Sequence, residues 1–194
     1  AEINDEFAKN FGMDDLAHLQ DIVRKQTQAT HSNQSRQKAK RNLLDTLDTL
    51  HDFDLPPTMV EMEFNQIWTQ LMQEKEAGNL DEEDSGKSDD ELKADYRKIA
   101  ERRVRLGLVL AEIGRTANVE ISEKEVQQAM IAEARKFPGQ EQQVIEFFQK
   151  NPESVAQLRA PIYEEKVVDF ILEIAKVTDV DVSKDELFKE DEEE

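Results

Sequence analysis

From Asp15 to His51 the chain reads DLAHLQDIVRKQTQATHSNQSRQKAKRNLLDTLDTLH, and the pattern of this stretch decides the fold. No glycine or proline interrupts it, so a helix capped by Asp14 or Asp15 meets no stop signal before His51. At 1.5 Å per residue such a helix is roughly 55 Å long. Its apolar residues gather at the two ends. Leu16, Leu19, Ile22 and Val23 form the first stripe, and Leu43, Leu44, Leu47 and Leu50 the last. Between them, Arg24 to Asn42 offers only Ala29 and Ala39. A helix that is polar all round over its middle has no core to face there, and is expected to act as a strut between packed ends.

Outward from the strut, capping and stop signals divide the chain into further helices. On the N-terminal side, Asn4 or Asp5 can cap a short helix carrying Phe7 and Phe11, which Gly12 ends. On the other side, Pro56–Pro57 stops the strut and starts a helix in which Val60, Phe64, Ile67, Trp68 and Leu71 form one stripe. Met59, Met62 and Met72 widen that stripe, Gly78 stops the helix, and an acidic loop is predicted to about Lys87. Ser88 with Glu91 makes a capping box for a helix to Asn118, striped by Leu92, Tyr96, Ile99, Leu106, Leu110 and Ile113. Ser122 with Glu125 makes a second box, for a helix through Lys136. Pro138–Gly139 turns the chain into a short helix loaded with Val144, Ile145, Phe147 and Phe148. Asn151–Pro152 opens a last long helix to about Lys176, and a short element follows Ser183.

Three corners share a pattern. Val119-Glu-Ile-Ser122, Val180-Asp-Val-Ser183 and Phe53-Asp-Leu-Pro56 each take an apolar–acidic–apolar step into a helix starter. They recur about every sixty residues and predict extended corners that splay successive helices apart. The chain has only six glycines and five prolines in 194 residues, and 38% of them are apolar. The expected fold is therefore all-α, an elongated multi-helix body rather than one fat core.

The net charge of −19, from 25 basic and 44 acidic residues, argues against nucleic acid as the main partner. The charge is uneven: Ile22 to Leu44 contains no acidic residue, whereas Asp81–Asp84 and Glu190–Glu194 are acidic runs. Those runs are expected to be solvated surface and a disordered tail, with solubility of a loaded protein as the sharper alternative. No cysteine is present, so neither disulfides nor thiolate metal sites hold the chain together. Its apolar runs are far too short to span a bilayer, and no secretory leader is visible. Ala1 stands where an initiator methionine is absent, so a truncated chain is expected.

Catalytic patterns do not emerge. His18, His31 and His51 lack the helical spacing of a metal pair, and no nucleophile elbow or phosphate-cradling glycine loop occurs. No catalytic residue, metal or cofactor is expected. Two apolar clusters stand out instead. Met59, Met62, Phe64, Trp68 and Met72 crowd one helix, and Met130, Phe137, Val144, Phe147 and Phe148 flank the Pro138–Gly139 turn. Either cluster can be ordinary core. Either can also line an open groove for apolar segments of another chain, a use to which methionine and aromatic side chains are suited.

Four segments, in order, resemble the C-terminal domain of the bacterial trigger factor family. They are Ile3-Asn-Asp-Glu-Phe-Ala-Lys-Asn-Phe-Gly12 with Leu19-Gln-Asp-Ile-Val-Arg-Lys25, His51-Asp-Phe-Asp-Leu-Pro-Pro57, Arg102-Arg-Val-Arg-Leu-Gly-Leu-Val-Leu-Ala-Glu112, and Val144-Ile-Glu-Phe-Phe-Gln-Lys-Asn151. The resemblance implies a body with two protruding helical arms that cradle unfolded or nascent polypeptides without ATP. It points to Phe137, Val144 and Phe147 as client contacts. Family members can carry a methionine where this chain has Glu133, and Met130 from the preceding turn is a candidate substitute.

Phe148 and Met130 beside that turn, and Met59, Phe64, Ile67, Trp68, Leu71 and Met72 on the other striped helix, extend the expected client-binding set. Residues 1–182 are then the substrate-binding domain and 183–194 a short helix with an acidic tail. The family's ribosome-docking loop and glycine-rich isomerase module have no counterpart in this sequence. The resemblance therefore implies a cytoplasmic, ribosome-associated peptidyl-prolyl isomerase (rotamase) as parent, with roles in protein folding, export and cell division. This fragment is expected to have no isomerase activity and no ribosome affinity, with self-association left open. The alternative is a helical scaffold that binds one specific folded partner.

Overall fold

The computed structural model describes residues 2–189. Among these, nine helices follow one another: α1 (Asp5–Asn10), α2 (Leu16–Leu50), α3 (Pro57–Ala77), α4 (Glu82–Ser85), α5 (Asp89–Thr116), α6 (Glu123–Ala134), α7 (Glu141–Lys150), α8 (Pro152–Ile174) and α9 (Lys184–Phe188). There is no strand among the described residues, and the all-α expectation holds. None of their helices is long and apolar enough to cross a membrane. The acidic run Glu190–Glu194, expected as a disordered tail, lies outside the described residues.

The starts and stops follow local chemistry. Asn4 caps α1 through its side chain, and the Asp15 carboxylate accepts the His18 N–H over 2.8 Å at the start of α2. The 35 residues of α2 run unbroken through the polar middle. Pro56 and Pro57 start α3, and Gly78 ends it at φ 72°, a left-handed conformation that glycine adopts without steric penalty. Ser88, Ser122 and Ser183 each complete a capping box with a glutamate three residues on. The three similar corners thus enter their helices alike, with Pro56, Ser122 and Ser183 all in extended backbone.

The structure departs from expectation in four places. The acidic loop before Lys87 contains the single turn α4, pinned where Tyr96 Oη donates to Asp84 over 2.5 Å. Burial first, and then that bond to Asp84, push the Tyr96 phenol well above its ordinary range. Helices α5 and α6 stop at Thr116 and Ala134, short of Asn118 and Lys136. Pro161 lies inside α8 at an exposed position. On α5 the buried residues are Leu92, Ala100, Val104, Leu106, Val109, Leu110 and Gly114, while Ile99 turns outward. The buried face is wider than one stripe because α5 is packed by α3 and also by α8.

Two compact units divide the chain, one of the described residues up to Leu43 and from Thr178 on, the other of Leu44–Val177. In the second unit α8 packs on α5, α6 and α7, and its Val167 and Val168 are fully enclosed. Gly114 marks the closest approach to α8. A Cβ there would meet Tyr163 Oη, and would lie 2.6 Å from Tyr163 Cζ and 2.7 Å from Val167 Cγ2. Lys166, also on α8, reaches the Glu125 carboxylate at 2.8 Å and donates to the Glu120 carbonyl oxygen at 2.6 Å. That lysine first, and then the Ser122 hydroxyl and N–H, hold Glu125 down to a pKa of about 2.

Candidate functional site

The turn between α6 and α7 builds a site from the backbone outward. Phe137 N–H donates to the Ala134 carbonyl at 3.0 Å, and the Phe137 carbonyl accepts from Gln140 at the same distance. Gly139 sits between them at φ 83°, where a side chain would be strained. The Glu141 carboxylate accepts hydrogen bonds from its own N–H and that of Gly139, which hold it below its ordinary pKa and tie down the first turn of α7. At the far end, Asn151 Nδ2 donates to the Phe147 carbonyl oxygen at 2.7 Å. The turn is therefore fixed independently of what its aromatic rings touch.

Those rings surround an open cavity of about 330 Å³, lined by Glu133, Phe137, Gln143, Val144, Phe147 and Phe148. Phe137 and Phe147 keep 49% and 53% of their surface exposed, and Val144 is half-buried. Phe148 is 9% exposed and meets Phe147 edge-on at 5.8 Å between centroids. One ring thus anchors α7 in the core while its neighbour stands in solvent. Glu133 and Gln143 are the polar residues of that lining. Glu133 is paired with Lys136 at 2.6 Å, so its charge is locally balanced. Met130, expected to stand in for an apolar residue at position 133, is half-buried and does not line the cavity; Glu133 itself does. Gln143 also lines it, a residue that an apolar pattern could not single out.

The second expected surface, on α3, turns out differently. Phe64 and Leu71, expected at a groove, are 9% and 3% exposed and packed into the α3–α5 interface, with Val60 beside them. This corrects the expectation for both residues: α5 offers a longer helix along the whole stripe, and apolar surface with a facing partner leaves water. Ile67, Trp68 and Met72 are half-buried at the edge. Phe64 and Trp68 stack at 5.9 Å, with Arg97 over the first ring at 5.5 Å and Lys93 over the second at 5.6 Å. Ion pairs Arg97–Glu61, at 3.0 Å, and Arg103–Glu63, at 3.2 Å, run alongside. Only Met59 and Met62 of this cluster stand in solvent.

Residues 15–173 match the family model described as the bacterial trigger factor protein C-terminus. The chain is 60% identical over 192 residues to the trigger factor of Hyphomonas neptunium, covering 99% of this chain and 43% of that protein. It is 55% identical over 193 residues to the trigger factor of Maricaulis maris, covering 100% and 37%. The chain thus spans about two fifths of the length of these curated relatives. A solved structure from work on promiscuous substrate recognition in folding and assembly activities of the trigger factor chaperone superimposes with a TM-score of 0.62. It covers 90% of this chain and 43% of that one at 16% sequence identity, a likeness of fold.

Proposed function

The chain belongs to the bacterial trigger factor C-terminal family, and from that premise we propose that it holds unfolded polypeptides, without ATP, at the α6–α7 cavity. The observation that carries this reading is the pair of half-exposed rings, Phe137 and Phe147, standing over an apolar floor on a turn that hydrogen bonds already fix. A rigid site of this kind adds little ordering cost when a client side chain enters it. Burying one Phe, Leu or Met side chain contributes about 1.5–3 kcal/mol. Three or four such contacts contribute about 5–12 kcal/mol before the cost of association is subtracted, which leaves affinity of about micromolar at the tightest. Binding of that strength releases a client without nucleotide hydrolysis. Met59 and Met62 on α3 are a secondary contact, which would add avidity for a long unfolded chain.

The parent is read as a ribosome-associated peptidyl-prolyl isomerase of the cytoplasm that serves folding and export of new proteins. This part of it is read as the non-catalytic holding module. Mapping an unfolded client onto the chain by NMR tests the assignment: shifts should centre on Phe137, Val144 and Phe147. Shifts confined to other helices would remove the cavity from the mechanism. Suppressed aggregation of two unrelated denatured proteins supports holding, whereas stoichiometric binding of one folded protein alone would favour a scaffold.

A further inference from the structure

Helix α7 ends one bond short of its register. The next α-helical hydrogen bond would run from the Asn151 N–H to the carbonyl of Phe147, four residues back. That N–H turns instead to the Phe148 carbonyl, at 3.2 Å. Pro152 follows, and a residue before proline is pressed out of helical backbone. Asn151 accordingly lies at φ −124° and ψ 88°. The Phe147 carbonyl, left over by this turn, is taken by the Asn151 side chain, whose Nδ2 donates over 2.7 Å.

An asparagine at a helix start ordinarily caps it, its side-chain oxygen accepting a backbone N–H. Asn151 stands at the start of α8 but makes no such bond. Its backbone carbonyl accepts from Ser154 at 3.1 Å and Val155 at 3.3 Å, while its side chain faces back to α7. A second helix of this chain is closed in the same way. Just past Leu50, the last residue of α2, His51 places Nδ1 2.8 Å from the Leu47 carbonyl, again four residues back. Facing a carbonyl oxygen, that nitrogen is the donor.

What distinguishes Asn151 is the residue that it holds. Phe147 lines the α6–α7 cavity with half its ring in solvent, so packing does little to fix its place. Phe148 is anchored in the core, but a ten-residue helix is marginal by itself, and its last carbonyls fray when they lack donors. We propose that Asn151 is a positioning residue of the client cavity. Through the Phe147 carbonyl it holds the last turn of α7 in the form that stands the Phe147 ring over the cavity. The inference rests on the reading of that cavity as the client site.

The test follows binding and the carbonyl together. The probe is a fluorescently labelled, unstructured peptide with one Leu-Phe-Leu run in a Gly-Ser background, read by anisotropy. The Phe147 carbonyl is read by its carbon-13 resonance. Asn151→Asp keeps the side-chain shape and removes the donor, and Asn151→Ala removes it without adding charge. Both should weaken peptide binding roughly threefold to tenfold, the scale of one hydrogen bond, and move the Phe147 resonance, with thermal melting largely unchanged. Asn151→His, which repeats the arrangement at His51, should restore both readings. Unchanged binding in the Asp and Ala variants overturns the proposal, even where the carbonyl resonance moves. A loss that histidine does not restore, or one matched by an equal loss of stability, also overturns it, since either marks a residue that only supports the fold. Peptide-induced shifts away from Phe137 and Phe147 in the intact chain would instead overturn the reading of the cavity itself.

Discussion

Along α3, Val60, Phe64 and Leu71 face α5, which at 28 residues outruns the 21 of α3 and covers the stripe from end to end. Around α7, a helix of ten residues, Phe148 enters the core, but among the described residues no further element covers Phe137 and Phe147. The two regions carry similar side chains and opposite fates. An apolar stripe is a core or a groove according to whether a second helix of matching length lies along it. The same comparison extends to charge. Cations of α5 sit over the aromatic faces of α3, while the charged residue lining the open cavity of α7 is an anion, Glu133, paired with Lys136.

That contrast is broken most directly at its sealed end. Leu71→Ala should cost about 2–5 kcal/mol of unfolding free energy, the range for truncating a buried leucine, and urea denaturation measures it. Phe147→Ser should change stability far less; equal losses would return Phe147 to the core. Gly114→Ala should cost about 1–3 kcal/mol, because the new methyl group meets Tyr163 and Val167 where α5 and α8 touch. An unchanged melting temperature in that variant would show that α8 can yield there. The triple change of Phe137, Val144 and Phe147 to serine should weaken client holding about tenfold, or about 1.4 kcal/mol, with helicity and melting largely intact. Aggregation suppression and thermal melting, run side by side, separate the two outcomes.

The smallest expected effect concerns the corner beside α6. Glu125 has its pKa lowered from 4.5 to about 2, by Lys166 first and Ser122 second. A carboxyl group of this kind binds its proton more readily when the chain is unfolded. Its stabilisation is therefore complete above pH 4.5 and fades as the pH falls towards 2. Glu125→Gln should accordingly lower the urea midpoint slightly at pH 6, with the gap to the parent chain closing by pH 2. A gap independent of pH would assign the loss to packing rather than to charge.

Helix starts were legible because caps act over three residues. Asn4, Asp15, Ser88, Ser122 and Ser183 satisfy backbone groups that the sequence places directly beside them. The aromatic turn at Pro138–Gly139 was legible for the same reason. The sealing of Phe64 and Leu71 was not, since the stripe of α3 reads the same with or without α5 alongside. Gly114 carries no local signal because the residues that require it, Tyr163 and Val167, lie some fifty positions further on. Likewise the turn α4 owes its place to Tyr96, twelve residues from Asp84, rather than to any signal within itself.

Sequence alone thus determined that this chain is helical, where most of its helices begin, and that its long second helix runs through a polar middle. Those features rest on hydrogen bonds and dihedral preferences within a turn or two. Only the tertiary structure decided which rings are enclosed and which stand in water. Burial depends on what a distant helix brings to the same surface, and a periodic pattern records the face of a helix but not its neighbour.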